Sequence, residues 1–360
     1  MTAYRAMGSS VYDGTSGIGL FLAQLAALTG DPIIRATSEA ALAQAQCRRV
    51  RVLFGALGNC TMLHGVRDAA WAGRACCARP EGDVASRLHC RLDIVNGSAG
   101  LIPALLDSTE REQSEELLHA AILHGEHLMN LAARTSQGWS WDTLGMPNER
   151  HLLGFAHGAS GVAYALAALC AATGNQDFLD GAREALRYER AHFRPAAGNW
   201  PDLRSFVQPT STGEQPCMVA WCHVAPGIGF ARLLLNKLIA NEPQVLAEAE
   251  VAICTTAATL GEVAPGTGNL SLCHGDGGNA ELLILGADLL NRPELRQIAE
   301  TAGNQALSRF EETGMPWPCG IPNAGESPNL LLGLAGVGYF FLRLYDSRKT
   351  PTVLVPAAQI

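Results

Sequence analysis

The sequence predicts an all-α fold in which helix pairs close into a ring-like barrel. Three observations lead there. A glycine turn that opens an apolar helix recurs seven times, amphipathic charged segments fill the intervals, and strand signals are almost absent because β-branched runs are short and rarely alternate. A small unit reused in this way cannot bury its apolar face alone, so the copies must pack against one another.

The first copy is DGTSGIGLFLAQLAAL at 13–28. Its apolar stretch resembles the core of a signal peptide, but Asp13 and a glycine turn precede it and no clear cleavage site follows, so it is expected to be a helix. The second, FGALGNCTMLHGV at 54–66, is the weakest match. DIVNGSAGLIPALL at 93–106 and GFAHGASGVAYALAAL at 154–169 follow, then WCHVAPGIGFARLLL at 221–235 and CHGDGGNAELLILGADLL at 273–290. LLGLAGVGYFFLRL at 331–344 is the last. The longest apolar run, 330–342, has 13 residues, short of the roughly 20 that span a bilayer, so no membrane span is expected.

Aligning the copies on Gly17, Gly58, Gly100, Gly161, Gly227, Gly278 and Gly336 gives spacings of 41 to 66 residues. The helices after these glycines are apolar on nearly every face, as inner helices would be. Segments between them, such as GAREALRYERAHF at 181–193, carry charge on one face, as an outer layer would. Each anchor glycine serves a sharp turn into a tightly packed helix, which requires positive φ or close backbone approach.

With 360 residues and 48% hydrophobic content, the chain can build a large core, and it is expected to form a single domain over 1–360. A net charge of −8 argues against a nucleic-acid surface, which needs clustered Lys and Arg. Eleven cysteines, an odd number without compact spacing, point to a reducing compartment and a cytoplasmic location rather than to disulfides.

Reactive residues fall in equivalent slots of the turns. His157, His223 and His274 lie four positions before their anchors, Cys222 and Cys273 five before, and Asp93 seven before. On a closed ring of repeats, the five of these other than His223 are expected to gather at one end. Cys222, Cys273 and His274 make a soft thiolate–imidazole set suited to Zn²⁺, with a fourth tetrahedral position left for substrate. If His223 also ligates, the set becomes a closed Cys2His2 staple. His119, His124 and His127 fall on a charged segment expected to be a solvated outer helix. Cys76, Cys77, Cys90 and Cys319 read as core or rim residues, and Trp200, Trp221 and Trp317 as either packing or the wall of a peptide groove.

The motifs GFAHGASG at 154–161, NWPDLR at 199–204, WCH at 221–223, CHG at 273–275 and SPNLLLGLAGVGYFFLRL at 327–344 resemble the lanthionine synthetase C family. The likeness extends over nearly the whole chain and is closest to the C-terminal cyclase domains of two-function lanthipeptide synthetases. It implies an α/α toroid of seven inner and seven outer helices and a zinc enzyme that adds cysteine thiolates to dehydroalanine or dehydrobutyrine, closing thioether rings in a dehydrated precursor peptide. Cys222, Cys273 and His274 would be the zinc ligands. His157 would be the general acid, Asp93 would orient it or accept the thiol proton, and His223 would line the cavity and assist proton transfer. The dehydro-residues are expected from a separate dehydratase or from a part of a synthetase outside this chain, since no dehydratase fits before Asp13. Two departures stand out: Val224 occupies a position that is usually glycine, and Met218 one where some stand-alone cyclases carry arginine. These departures keep two alternatives in view, a zinc-stabilised scaffold that binds peptide without catalysis and a LanC-like enzyme that adds glutathione.

Overall fold

The computed structural model describes residues 7–47, 91–146, 149–239, 242–261, 268–321 and 325–355. These residues contain eleven α-helices in two layers. The inner layer comprises α1 (Thr15–Thr29), α3 (Ser98–Glu112), α5 (Ala159–Thr173), α7 (Ala225–Leu238), α9 (Asp276–Leu290) and α11 (Leu334–Tyr345). The outer layer comprises α2 (Pro32–Cys47), α4 (Glu115–Leu131), α6 (Gln176–His192), α8 (Pro243–Gly261) and α10 (Pro293–Ala306). Each outer helix packs on the inner helix before it. Inner helices α3 to α11 are neighbours in turn, and α11 returns to α1. The arrangement is an α/α toroid, and six of the seven glycine turns open its inner helices. The second turn, with Cys76, Cys77 and Cys90, lies outside the described residues. After α11, residues 346–355 hold no helix and fold back on the ring, where Gln24 Nε2 donates to the Lys349 carbonyl at 2.8 Å. No helix among the described residues is long and apolar enough to cross a membrane.

The anchor glycines have one physical cause. A Cβ on Gly17, Gly100, Gly161, Gly227, Gly278 or Gly336 would lie 1.9 to 2.2 Å from the carbonyl oxygen six residues upstream. The turn folds its own backbone over the first turn of the helix, and any side chain would block it. Close approach, rather than positive φ, is therefore what these glycines provide.

The turns are also joined to one another. The Leu331 amide donates to the Tyr12 carbonyl at 3.0 Å, Cys273 to Leu331 at 2.9 Å and Cys222 to Cys273 at 3.1 Å, while Ile94 donates to Ala156 at 3.2 Å. These backbone bonds form two stretches of a belt around one end of the ring, and the turn side chains are held in fixed neighbour relations along it. Strands among the described residues are confined to two small hairpins, β1 (Ala133–Thr135) with β2 (Gly138–Ser140) and β3 (Val219–Ala220) with β4 (His223–Val224).

Charged side chains brace the layers where the sequence suggested a solvated face. Glu189 of α6 is fully buried, and one of its carboxylate oxygens accepts from the Gly154 and Ser160 amides at 2.8 and 3.0 Å. Arg232 of α7, also fully buried, donates to Glu189 at 2.9 Å and to Glu248 of α8 at 2.6 Å. The opening of the turn that carries His157 is thus fixed from the outer layer.

Candidate functional site

Cys222 sits at the tip of the β3–β4 hairpin and Cys273 in the turn before α9, side by side because their backbones are consecutive members of the belt. Their sulfurs and a ring nitrogen of His274 lie within 4.8 Å of one another, the one such group of three His, Cys, Asp or Glu side chains among the described residues. Both cysteines are buried and His274 is exposed. His274 Nε2 lies 2.9 Å from the Gly320 carbonyl, which can only accept, so Nε2 carries a proton and Nδ1 is the nitrogen that would offer a lone pair to a metal. Outer hydrogen bonds of this kind orient a ligating imidazole. Two thiol sulfurs and an oriented imidazole fit a borderline-soft ion such as zinc.

In the protein alone the two sulfurs share a hydrogen bond, and the pair splits. Bonding from Cys222, then from His274 and Tyr12, holds the Cys273 thiol below its usual range, while that same bond and burial push Cys222 well above it. The Cys273 sulfur in turn raises His274. Tyr12 Oη donates to Cys273 Sγ at 2.8 Å, and burial followed by the neighbouring sulfur charge pushes its phenol far above its ordinary value, so it remains a donor.

Between the third and fourth turns, His157 Nδ1 donates to Asp93 Oδ2 at 2.7 Å. Asp93 is buried, and its other oxygen accepts from the Asn96 amide at 2.6 Å. His157 remains partly accessible, with its carbonyl held by Thr143. The His157 and His223 rings have centroids 5.8 Å apart, which links the Asp93–His157 pair to the residue beside Cys222. Burial, followed by the charges of Arg204 and His157, lowers His223 to about 3, so it is a neutral ring at ordinary pH. His223 is not a member of the three-residue group.

The NWPDLR segment builds the floor under the hairpin. Asn199 Oδ1 accepts from the Ala225 amide at 3.1 Å, and its Nδ2 donates to the Met218 carbonyl at 2.9 Å, so one side chain clamps both ends of the hairpin. Asp202, buried, pairs with Arg204, whose Nη2 also lies 3.4 Å from Met218 Sδ. The charge of Arg204 acts on Cys222, His223 and His274. A cation is therefore present beside Met218, where the sequence shows none at that position.

Val224, the first residue after WCH, has φ 58° and ψ −142°. The equivalent cap residues Gly14, Gly97, Gly158, Gly275 and Gly333 are extended. A β-branched residue at positive φ is strained.

The profile of the family described as Lanthionine synthetase C-like protein matches residues 5–356. The chain belongs to the lanthionine synthetase C-like family. Among solved structures it is similar to one titled nisin cyclase, at 18% identity over 98% of this chain and 93% of that one, with a TM-score of 0.71. An α-mannanase of glycoside hydrolase family 76 from Bacteroides thetaiotaomicron is similar at 11% identity over 81% and 86% of the two chains, with a TM-score of 0.50. At these identities the structures speak to the shared fold. No curated protein sequence matches significantly.

Several residues of this lanthionine synthetase C-like protein escape a reading of sequence alone. Tyr12 lies five positions before Gly17, the slot of Cys222 and Cys273, and extending the slot count to the first turn would have found it. Glu189 has no periodic signal, since its partners are distant in sequence, and the NWPDLR motif that holds Asn199 and Arg204 does not itself reveal their reach to Ala225 and Met218. His124 corrects the expectation of a solvated histidine: it is buried against Ser98 at 3.0 Å. Trp200 and Trp221 are core residues, whereas Trp317 is half-buried against Phe310 and Phe341.

Proposed function

We propose that the protein is a zinc-dependent lanthionine cyclase that adds cysteine thiolates of a dehydrated precursor peptide to dehydroalanine or dehydrobutyrine. The observation that carries this reading is the convergence of Cys222, Cys273 and His274 within 4.8 Å on the fifth and sixth turns, with the hydrogen-bonded Asp93–His157 pair of the third and fourth turns reaching them through the His157–His223 ring contact, in a chain of this family. Cys222, Cys273 and Nδ1 of His274 would hold the metal. When bound, zinc supplies Lewis acidity that lets a peptide thiol ionise near neutral pH while its sulfur stays nucleophilic.

The protein's own groups move the proton. With Nδ1 bound to Asp93, His157 presents Nε2 to the peptide, accepts the thiol proton there and becomes an imidazolium stabilised by the adjacent carboxylate. As the sulfur bonds to the β-carbon, the double-bond pair moves toward the carbonyl oxygen, and His157 returns its proton to the α-carbon. Asp93 fixes the tautomer and balances the charge. His223, kept neutral by burial, adds no cation beside Cys222 and is available as a hydrogen-bonding partner on the proton's route. The charge of Arg204, which acts on Cys222, His223 and His274, would favour the developing enolate.

The test is a thiol count. Zinc-loaded protein incubated with a dehydrated peptide that carries cysteine should consume free thiols, read by alkylation and mass spectrometry, well above an enzyme-free control at the same pH. Thiols that remain fully reactive would leave a peptide-binding scaffold. Consumption only when free glutathione replaces the peptide thiol would indicate the glutathione-adding alternative.

A further inference from the structure

From the first turn, Tyr12 reaches the cysteine of the sixth. It stands in the slot that holds Cys222 and Cys273 in their own turns, and its carbonyl accepts from Leu331, whose carbonyl accepts from Cys273. Its backbone and its hydroxyl are therefore both tied to the segment that carries Cys273, the hydroxyl directly to the sulfur at 2.8 Å. The ring is half-buried against the core, which restricts it to this orientation.

We propose that Tyr12 is a positioning residue of the thiol site, which sets the orientation and the electron density of the Cys273 sulfur by donating a hydrogen bond to it. The inference rests on the reading that Cys222, Cys273 and His274 hold a zinc ion. A metal thiolate that accepts a hydrogen bond gives less charge to the metal, so the ion remains a stronger Lewis acid toward an incoming thiol. Two thiolate ligands already neutralise a divalent ion, and without such a donor a third sulfur would be held weakly. The first turn of the ring, which follows α11 around the closure, then acts on metal chemistry in the sixth, two turns away around the ring. A tyrosine suits this task because its ring, packed against the core, fixes the hydroxyl oxygen beside the sulfur.

The full-length protein loaded with cobalt(II) reports the sulfur directly through its thiolate-to-metal charge-transfer band. In Tyr12→Phe the sulfur should become more electron-rich, and the band should move to lower energy. Metal affinity measured by chelator competition should change by the 10- to 100-fold typical of outer hydrogen bonds to ligands. Incorporating a ring-fluorinated tyrosine at position 12, which makes a stronger donor of nearly the same shape, should move the band the opposite way. Opposed shifts cannot arise from a packing role alone, and the fluorinated protein keeps the test available if Tyr12→Phe folds poorly. An unchanged band and an affinity within twofold in both variants would overturn the proposal for Tyr12. Failure of the wild-type protein to bind cobalt or zinc would instead overturn the metal site itself.

Discussion

At the scale of single residues, the site divides into groups that meet substrate and groups that hold them. In the proposed mechanism His157 belongs to the first kind. Replacing it with Asn keeps an N–H donor toward Asp93 and leaves Cys222, Cys273 and His274 untouched, so zinc content and helicity should match wild type. Cyclisation should slow by roughly 10²- to 10⁴-fold, the range lost with a positioned acid–base group; unchanged rates would remove the role assigned to it. His124 belongs to the second kind. Burial, with a smaller contribution from His127, lowers it from 6.5 to about 4. Between these values the unfolded chain binds a proton that the native state refuses, so the contribution of His124 to stability is complete above pH 6.5 and is lost as pH falls toward 4. Denaturation curves across that interval should show a smaller acid loss in His124→Gln, by up to one proton or about 1.4 kcal/mol per pH unit. An identical slope in the two proteins would refute the assignment. The slot count made Asp93, His157, His223, Cys222, Cys273 and His274 legible because reactive types stood out against glycine and apolar neighbours. His124 was misread because its partner Ser98 lies in another helix, and helical charge patterning carries no record of such a contact.

Elements show why the fold was readable and where its detail was not. An anchor glycine that cannot accept a Cβ leaves a mark in every copy, so six described turns were visible without any structure. The brace made by Glu189, Arg232 and Glu248 left no mark, since a charged residue facing inward and one facing solvent look alike in a single sequence. Arg204 was hidden for a related reason: it reaches Met218 from a loop fourteen residues earlier in the chain. The cap of α7 offers a direct test of local strain. Val224 is buried, so its removal costs packing whichever smaller residue replaces it, and comparison of two variants cancels most of that term. Elsewhere alanine is favoured over glycine by restricting the unfolded chain, but at φ 58° the order should reverse. Val224→Gly should be more stable than Val224→Ala by about 1 kcal/mol in denaturant titration. If alanine is the more stable, the hairpin has relaxed to a conformation that tolerates a side chain, and the backbone beside Cys222 carries no strain.

For the whole molecule, the question is whether the metal holds the ring together or the ring holds the metal. The inner helices bury a continuous apolar core that includes Leu105, Val162, Phe230, Leu283 and Phe340, and the backbone belt ties the first, fifth, sixth and seventh turns without any ligand. Hydrophobic burial on this scale outweighs what one ion contributes. Cys222→Ala separates the possibilities because it deletes a ligand from the fifth turn while the belt bond from its amide to Cys273 survives. The variant should retain wild-type far-ultraviolet circular dichroism at 25 °C, lose most of its zinc and fall to the uncatalysed rate of ring formation. Its melting temperature should also drop, since an ion that binds only the native state stabilises it by mass action, by roughly 4 kcal/mol when free metal exceeds Kd a thousandfold. Chelation of the wild-type protein should reproduce that lower melting temperature, and zinc added back should restore it in wild type alone. Collapse of the helical signal in the variant would make the ion a structural staple, whereas full cyclase activity in a zinc-free preparation would exclude a zinc-activated thiol. The three measurements belong on one preparation with an enzyme-free control at each pH, because free thiolate, and with it the background addition, rises with pH.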